Sequence, residues 1–366
     1  MSEDDPLLSA EGLVVGHRPA KGKEIRIAGP TDLVLRAGEL VCLLGPNGIG
    51  KSTLLRTLAG LIPPLAGTVR LGGESIAEWS PRRLARERGM LAAGDPRPEG
   101  MTAAELVALG RHPHSGWTGA LAPADHEAVE RAFREANAAA LRDRRIDEMS
   151  DGERQRVSLA RLLAQEAPLL LLDEPTAYLD LPSRVELLAT LVRWTRGRGL
   201  GVLLATHDLD SALRLADRVW LFDRDRALLS GAPEDLVLAG SVARAFVSDE
   251  VAFDEDEGRF RPIRKPGRPI RLSGEGTVAA WTRRALERTG WSAVDPYEPA
   301  ADLPSVEIRR ASDGPAWTIR PPEAAPVEAR SIEETLRALA GLLRNPAPDD
   351  STERRSEPRS TATEFP

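Results

Sequence analysis

The chain has 366 residues, of which 42% are hydrophobic and 29% charged, and its formal net charge is −7. This length favours two domains, the composition is typical of a globular protein, and the acidic balance argues against nucleic acid as a partner. The single cysteine, Cys42, excludes an internal disulfide and a multi-cysteine metal site.

The N-terminal part of the chain predicts strands followed by helices. Its acidic start lacks the apolar segment of a secretory signal, and no apolar run in the sequence is long enough to cross a bilayer. Residues 7–75 have the pattern of short strands, ending in the apolar strand Leu40–Leu44 before the loop. A glycine-rich loop then leads into a helix at residues 51–59. From about Pro81 to Met149 the pattern becomes helical, with its clearest pieces at residues 103–109 and 123–140.

Residues 151–245 alternate helical and apolar extended segments, which is the pattern of a parallel α/β sheet. The expected elements, helix and strand in turn, lie at residues 153–165, 169–172, 183–195, 201–205, 209–216 and 219–222. The helical region before them is therefore an insertion into an α/β core.

The C-terminal part predicts a second, smaller domain. Residues 248–258 are acidic and predict a solvated linker. A β-α-β-β-α pattern follows, with a hairpin turn at Ser312-Asp313-Gly314, and it predicts a small α+β domain. The expected elements lie at residues 268–272, 278–288, 305–310, 316–320 and 332–343. Residues 346–366 are polar and rich in proline, and they predict disorder. The domains are then expected at residues 7–255 and 262–345.

The loop after Leu40–Leu44 has the pattern G-x-x-x-x-G-K-S between a strand and a helix. This is the setting in which backbone N–H groups converge on phosphate oxygens. Lys51 is expected to reach the terminal phosphates, and the Ser52 hydroxyl to coordinate Mg²⁺. The residues expected to hold the nucleotide here are Gly45, Pro46, Asn47, Gly48, Ile49, Gly50, Lys51, Ser52 and Thr53.

Two carboxylates and a histidine follow later strands of the same expected sheet. Asp173 and Glu174 end an apolar strand, at the edge of a parallel sheet where ligands bind. We expect Asp173 to hold Mg²⁺ and Glu174 to act as general base toward the attacking water. His207 follows the next strand and is expected to contact the terminal phosphate.

The segment Ser150-Asp151-Gly152-Glu153 has the spacing of a capping box, which marks a helix start. The N–H groups of such a start suit a terminal phosphate. We expect Ser150, Gly152 and Glu153 to face a nucleotide held by a second subunit.

With these motifs in order, residues 7–255 resemble the ATP-binding subunits of ABC transporters. The loop at Lys51 resembles their Walker A motif, Ser150–Glu153 their signature, residues 169–174 their Walker B strand, residues 177–180 their D-loop and His207 their switch histidine. The resemblance implies a P-loop NTPase core that hydrolyses ATP with Mg²⁺. It also implies a head-to-tail homodimer with ATP between the Lys51 loop of one subunit and the Ser150 segment of the other. In this arrangement Asp180 is expected to be among the residues that bind the nucleotide.

Segments at residues 39–60, 101–113 and 231–235 resemble the branch that imports iron–siderophore, haem or cobalamin. This resemblance implies integral membrane permease subunits as partners, a periplasmic or extracellular binding protein as an indirect partner, and a peripheral place on the cytoplasmic face of the cell membrane. Residues 262–345 resemble a C-terminal extension found in this branch.

The sequence departs from the family pattern in three places. The signature reads Ser-Asp-Gly-Glu, and a capping box would turn the Glu153 charge back toward Ser150. The family's Q-loop glutamine is missing near residues 92–97, where Asp95 is the nearest oxygen donor. The aromatic residue that stacks on adenine is also missing, and His17 is the candidate ring.

Two other functions fit the motifs. One is a soluble ABC ATPase, for example in iron–sulfur cluster assembly. The other is a nucleotide-binding regulator with little turnover, which the missing glutamine favours and which intact Lys51, Asp173, Glu174 and His207 oppose.

Overall fold

The computed structural model describes most of the chain in two units. The described residues are 5–19, 23–92, 98–116, 119–177, 179–246, 250–255, 257–263, 267–294, 303–312, 314–322 and 324–344. The first unit is Met1–Pro262 and the second is Ile263–Pro366. In the described residues no helix is long and apolar enough to cross a membrane.

The first unit contains an antiparallel and a mostly parallel sheet. Its strands are β1 (Pro6–His17), β2 (Ile25–Arg36), β3 (Leu40–Leu44), β4 (Ala66–Leu71), β5 (Glu74–Ser75), β6 (Arg88–Leu91), β7 (Leu169–Asp173), β8 (Gly201–Ala205), β9 (Arg218–Phe222), β10 (Leu228–Gly231), β11 (Val251–Asp254) and β12 (Arg259–Pro262). The antiparallel sheet has the order β2-β1-β4-β5, the second sheet has the order β10-β9-β3-β8-β7-β6, and β11 and β12 form a separate pair. In the second sheet only β10 is antiparallel to its neighbour.

The helices of the first unit connect these strands. They are α1 (Lys51–Leu58), α2 (Pro81–Glu87), α3 (Ala103–Ala108), α4 (Pro123–Glu135), α5 (Asp151–Ala164), α6 (Leu181–Arg198), α7 (Leu209–Leu215), α8 (Pro233–Leu238) and α9 (Ser241–Phe246). Between β6 and β7, α3 to α5 form the insertion. The predicted parallel α/β core with a helical insertion is confirmed.

The central strands are apolar throughout because both faces of the sheet are covered. Side chains alternate between two buried clusters. Cys42, Leu170 and Val202 lie in the cluster with α3 to α6, whereas Val41 and Leu203 lie in the cluster with α1 and the antiparallel sheet. This packing fixes the carboxyl ends of β3, β7 and β8 side by side.

Three expectations for the first unit were wrong in detail. The helical region contains a strand, β6, whose four residues pair with β7. The expected helix at residues 123–140 ends at Glu135, because Asn137 adopts a left-handed conformation with φ 52°. The expected linker at residues 248–258 contains β11, which pairs with β12 as a hairpin. Phe253 and Phe260 pack there with ring centroids 4.9 Å apart, and this contact outweighs the acidic composition.

The second unit is a small α+β fold, as predicted. Its elements are β13 (Arg268–Ser273), α10 (Gly276–Arg288), β14 (Trp291–Val294), β15 (Ser305–Ala311), β16 (Gly314–Arg320), β17 (Val327–Ala329) and α11 (Ile332–Arg344). The sheet order is β14-β13-β15-β16-β17, and both helices contribute to its core. The hairpin of β15 and β16 is confirmed, while β14 and β17 were not predicted. Asp313 and the tail at residues 346–366 lie outside the described residues.

Candidate functional site

The glycine-rich loop joins β3 to α1 in a conformation that requires glycine. Gly50 has φ 124°, and a Cβ there would lie 2.1 Å from the Cγ2 atom of Ile27. Gly48 also has a positive φ, 73°, but open space surrounds its missing side chain. Helix α1 begins at Lys51 with no side-chain cap, so its first N–H groups face the loop without a protein acceptor from the cap. The loop therefore offers backbone donors to an anion.

Lys51 lies over this loop. Its Nζ atom donates to the carbonyl oxygens of Gly45 at 2.9 Å and Pro46 at 3.4 Å. The side chain is buried, and burial lowers the pKa of Lys51 below its ordinary value, while the carboxylates of Glu174 and Asp173 act in the opposite direction. A phosphate in the loop would meet the Lys51 ammonium group, whose partners are the two carbonyl oxygens and, through charge, these two carboxylates.

Ser52 and Asp173 join the loop to the end of β7. The Ser52 Oγ atom donates to Asp173 Oδ1 at 3.0 Å. Asp173 is 1% exposed, and its Oδ2 atom is buried without a hydrogen-bond partner. Asp173 Oδ2 therefore lacks a hydrogen-bond donor, and the Ser52 hydroxyl lies next to the same carboxylate. This pair of oxygen ligands fits a hard cation such as Mg²⁺, which takes few protein ligands and completes its coordination shell with water and phosphate oxygens. The described residues hold no cluster of three or more His, Cys, Asp or Glu side chains for a metal.

Glu174 and His207 form a pair at the same edge of the sheet. The imidazole N–H at Nδ1 of His207 donates to Glu174 Oε2 at 2.7 Å. Glu174 has φ 51°, a conformation uncommon for a residue with a side chain, and its N–H donates to the Ala205 carbonyl at 3.0 Å. The end of β8 thus fixes both residues, and the carboxylate is held beside a ring that can donate and accept protons.

The segment at Ser150 forms the predicted capping box at the start of α5. The Ser150 N–H donates to Glu153 Oε2 at 2.9 Å, and the Glu153 N–H donates to Ser150 Oγ at 3.3 Å. The hydrogen bond from Ser150 holds the pKa of Glu153 below its ordinary value. Arg144 donates to Glu153 Oε1 at 2.6 Å, and Arg154 pairs with Asp151. These two arginines were not identified from the sequence, although Arg154 lies three residues from Asp151 and Arg144 nine residues from Glu153.

The structure brings together five of the residues selected from the sequence. They are linked by hydrogen bonds or charge and comprise Lys51, Ser52, Asp173, Glu174 and His207. No hydrogen bond or ion pair among the described residues joins Ser150 or Glu153 to this group within one chain. Asp180 caps α6 by accepting from the Ser183 N–H at 3.0 Å, and hydrogen bonds from the Ser183 side chain and N–H lower the pKa of Asp180.

The expected adenine site and Q-loop are less defined. His17 ends β1 and is exposed, with its backbone opposite that of Ile25 in β2. The segment where the Q-loop glutamine is missing lies mostly outside the described residues, and so does Asp95.

Two family models match this chain, one in each unit. Residues 29–177 match the ABC transporter family, and residues 267–340 match the iron ABC transporter C-terminal domain. The chain is 40% identical to the hemin import ATP-binding protein of Nocardia farcinica over 65% of this chain and 82% of that one. It is 36% identical to the ferric enterobactin transport ATP-binding protein of Escherichia coli over 67% of this chain and 89% of that one. A bacterial ABC transporter cassette solved as a dimer has the same fold, with a TM-score of 0.55 and 23% identity over 62% of this chain and 98% of that one.

Proposed function

The chain belongs to the family of ABC transporter ATP-binding proteins, and we propose that it uses ATP hydrolysis to drive the import of a metal chelate such as iron–siderophore, haem or cobalamin. The match of the second unit to an iron transporter domain supports an iron chelate. The names of the relatives, which transport hemin and ferric enterobactin, support the same class of cargo. They do not favour a soluble ATPase or a regulator with little turnover.

The contacts among Lys51, Ser52, Asp173, Glu174 and His207 carry the proposal for the site. The loop N–H groups and Lys51 would bind the β- and γ-phosphates of ATP and orient the terminal one. Ser52 and Asp173 would hold Mg²⁺, which neutralises charge on the phosphates when it is bound. Glu174 would accept a proton from the attacking water, and His207, which is hydrogen-bonded to that carboxylate, would contact the γ-phosphate.

The Ser150 segment would complete the site from a second subunit. In this arrangement the N–H groups at the start of α5 and the Ser150 hydroxyl face the γ-phosphate bound by the partner's loop. Among the described residues, no hydrogen bond or ion pair joins this segment to Lys51 within one chain, which is consistent with the head-to-tail dimer. We further propose that Asp180 lies at the same interface and that His17 contacts adenine.

The proposal places the dimer against permease subunits on the cytoplasmic face of the cell membrane, with a binding protein outside that delivers the chelate. The helical insertion near residues 101–114 would carry the permease contact. The test is uptake of radioactive iron, as a siderophore chelate and as haem, by a strain that lacks the gene and by the same strain complemented with the wild-type chain or with Glu174→Gln. We expect only the wild-type chain to restore uptake. Restoration by Glu174→Gln, or no loss in the deletion strain for either chelate, would contradict the proposal.

A further inference from the structure

The start of α5 has an electrostatic problem if it serves the proposed function. A helix N-terminus attracts anions, but here the first turn carries two carboxylates, Asp151 and Glu153. The hydrogen bond from the Ser150 N–H lowers the pKa of Glu153 below its ordinary value and so favours the charged form of this carboxylate. An uncompensated negative charge at this place would repel the γ-phosphate of a partner-bound nucleotide.

Arg144 meets Glu153 from the segment before the helix. Its Nη1 atom donates to Glu153 Oε1 at 2.6 Å, and its Nη2 atom donates to the Glu148 carbonyl at 3.1 Å. The other carboxylate oxygen of Glu153 accepts from the Ser150 N–H. Both oxygens are therefore fixed, and the carboxylate is folded back along the helix start.

The backbone of Arg144 is also held in place. Its carbonyl accepts from the Ala103 N–H at 2.9 Å, at the first turn of α3. The Ile146 N–H donates to the Met101 carbonyl at 3.0 Å, two residues further along the same segment. The segment that carries Arg144 is thus anchored to the start of α3, and the guanidinium is presented to Glu153 from a fixed position.

We propose that Arg144 is a positioning residue for the sandwiched nucleotide: it neutralises Glu153 and holds it against Ser150, so that an acidic signature segment can face a phosphate. This inference rests on the proposed head-to-tail dimer. Arg144 acts through Glu153 and not by contact with the nucleotide. Its removal would leave the Glu153 charge unbalanced at the interface while the capping box remains.

The test uses ATP-dependent dimerisation of full-length chains that carry Glu174→Gln to prevent turnover, measured by sedimentation at several salt concentrations. Arg144→Ala is compared with Arg145→Ala, a matched control whose side chain pairs with Asp147 at the surface and not with Glu153. The same comparison is repeated with Glu153→Gln, because glutamine keeps the capping hydrogen bond but carries no charge. ATP affinity of the monomer, which depends on the Lys51 loop, reports whether each variant is folded.

We expect Arg144→Ala to weaken dimerisation about fivefold per site, the order found for partly exposed ion pairs, and therefore roughly 25-fold for two sites. The loss should shrink at high salt, where the repulsion is screened. Arg145→Ala should change the dimerisation constant less than about twofold. In the chain that also carries Glu153→Gln, Arg144→Ala should likewise change it less than about twofold, because the charge that Arg144 balances is absent. An equal loss with and without Glu153→Gln would overturn the proposal in favour of a structural role for Arg144. If the reference chain forms no dimer with ATP, the sandwich itself is wrong and the proposal falls with it.

Discussion

Substitution of Arg111 by methionine should destabilise the helical insertion more than any substitution of its exposed arginines. The Arg111 side chain is 7% exposed. Its Nε atom donates to Asp125 Oδ1 at 2.8 Å, and its Nη1 atom donates to Glu166 Oε2 at 2.6 Å and to the Ala164 carbonyl at 2.7 Å. One guanidinium therefore joins the segment after α3 to α4 and to the end of α5.

The magnitude follows from what methionine would leave behind. Asp125, with 9% exposure of its side chain, would lose its ion-pair partner but keep the hydrogen bond from the Ala122 N–H. Glu166 is more exposed and would keep Arg131 at 2.6 Å. Breaking a buried pair costs about 3–5 kcal/mol, and the remaining partners place this case near 3 kcal/mol.

Urea denaturation of the full chain measures the free energy of unfolding of the wild type and of Arg111→Met, with Arg131→Met as the matched control. Arg131 binds the same carboxylate, but its side chain is 44% exposed, so its loss should cost less than about 1 kcal/mol. Similar unfolding midpoints for the two variants would refute the reasoning, because burial would then make no difference to the arginine that is removed.

Three further predictions concern the loop, the pH dependence and the second unit. Gly50→Ala should weaken ATP binding at least about tenfold, because the φ of 124° at this position is strained for alanine. Gly48→Ala should weaken ATP binding less, because a Cβ there meets open space. Titration with a fluorescent nucleotide compares the ATP affinities of the two variants. The hydrogen bonds from the Ala122 N–H and Arg111 hold the pKa of Asp125 below its ordinary value. The ionised Asp125 carboxylate therefore stabilises the folded state above the unfolded-state pKa of about 4, and this contribution is lost as pH falls through the folded-state pKa. The stability difference between the wild type and Arg111→Met should therefore narrow in acid, and a constant difference from pH 7 to pH 3 would contradict this. Trp317→Phe removes the 2.9 Å hydrogen bond from the indole N–H to Thr282. The substitution should lower the free energy of unfolding of the second unit by about 1 kcal/mol, measured by calorimetry. ATP affinity, measured by the same nucleotide titration, should not change.

The apolar strands and the loop between them were predictable because burial on both faces leaves a continuous apolar run. Leu40–Leu44 and Leu169–Asp173 are both buried throughout. In the loop between β3 and α1, few residues other than glycine can adopt the positive φ angles. The capping box at Ser150 was predictable for a similar reason, since its two hydrogen bonds are local. Features that depend on residues close in sequence were therefore the ones that sequence reasoning found.

The features that were missed depend on tertiary contacts that no local sequence motif marks. Strand β6 has four residues and is a strand because β7 lies beside it. The hairpin of β11 and β12 is acidic in sequence, and its order comes from the contacts of Phe260 with Phe253 and with Phe246, at 4.9 and 5.6 Å. The pairing of Arg144 with Glu153 needs the segment before α5 to turn back toward α3. Periodicity and composition carry no record of such turns.

The most direct test of the proposed mechanism is ATP hydrolysis by the purified chain and by Glu174→Gln, with the oligomeric state followed with and without ATP. The account predicts that the wild-type chain hydrolyses ATP, and that Glu174→Gln loses turnover by about a hundredfold or more but forms a dimer that retains ATP. Retained turnover in Glu174→Gln would contradict the assignment of Glu174 as the base.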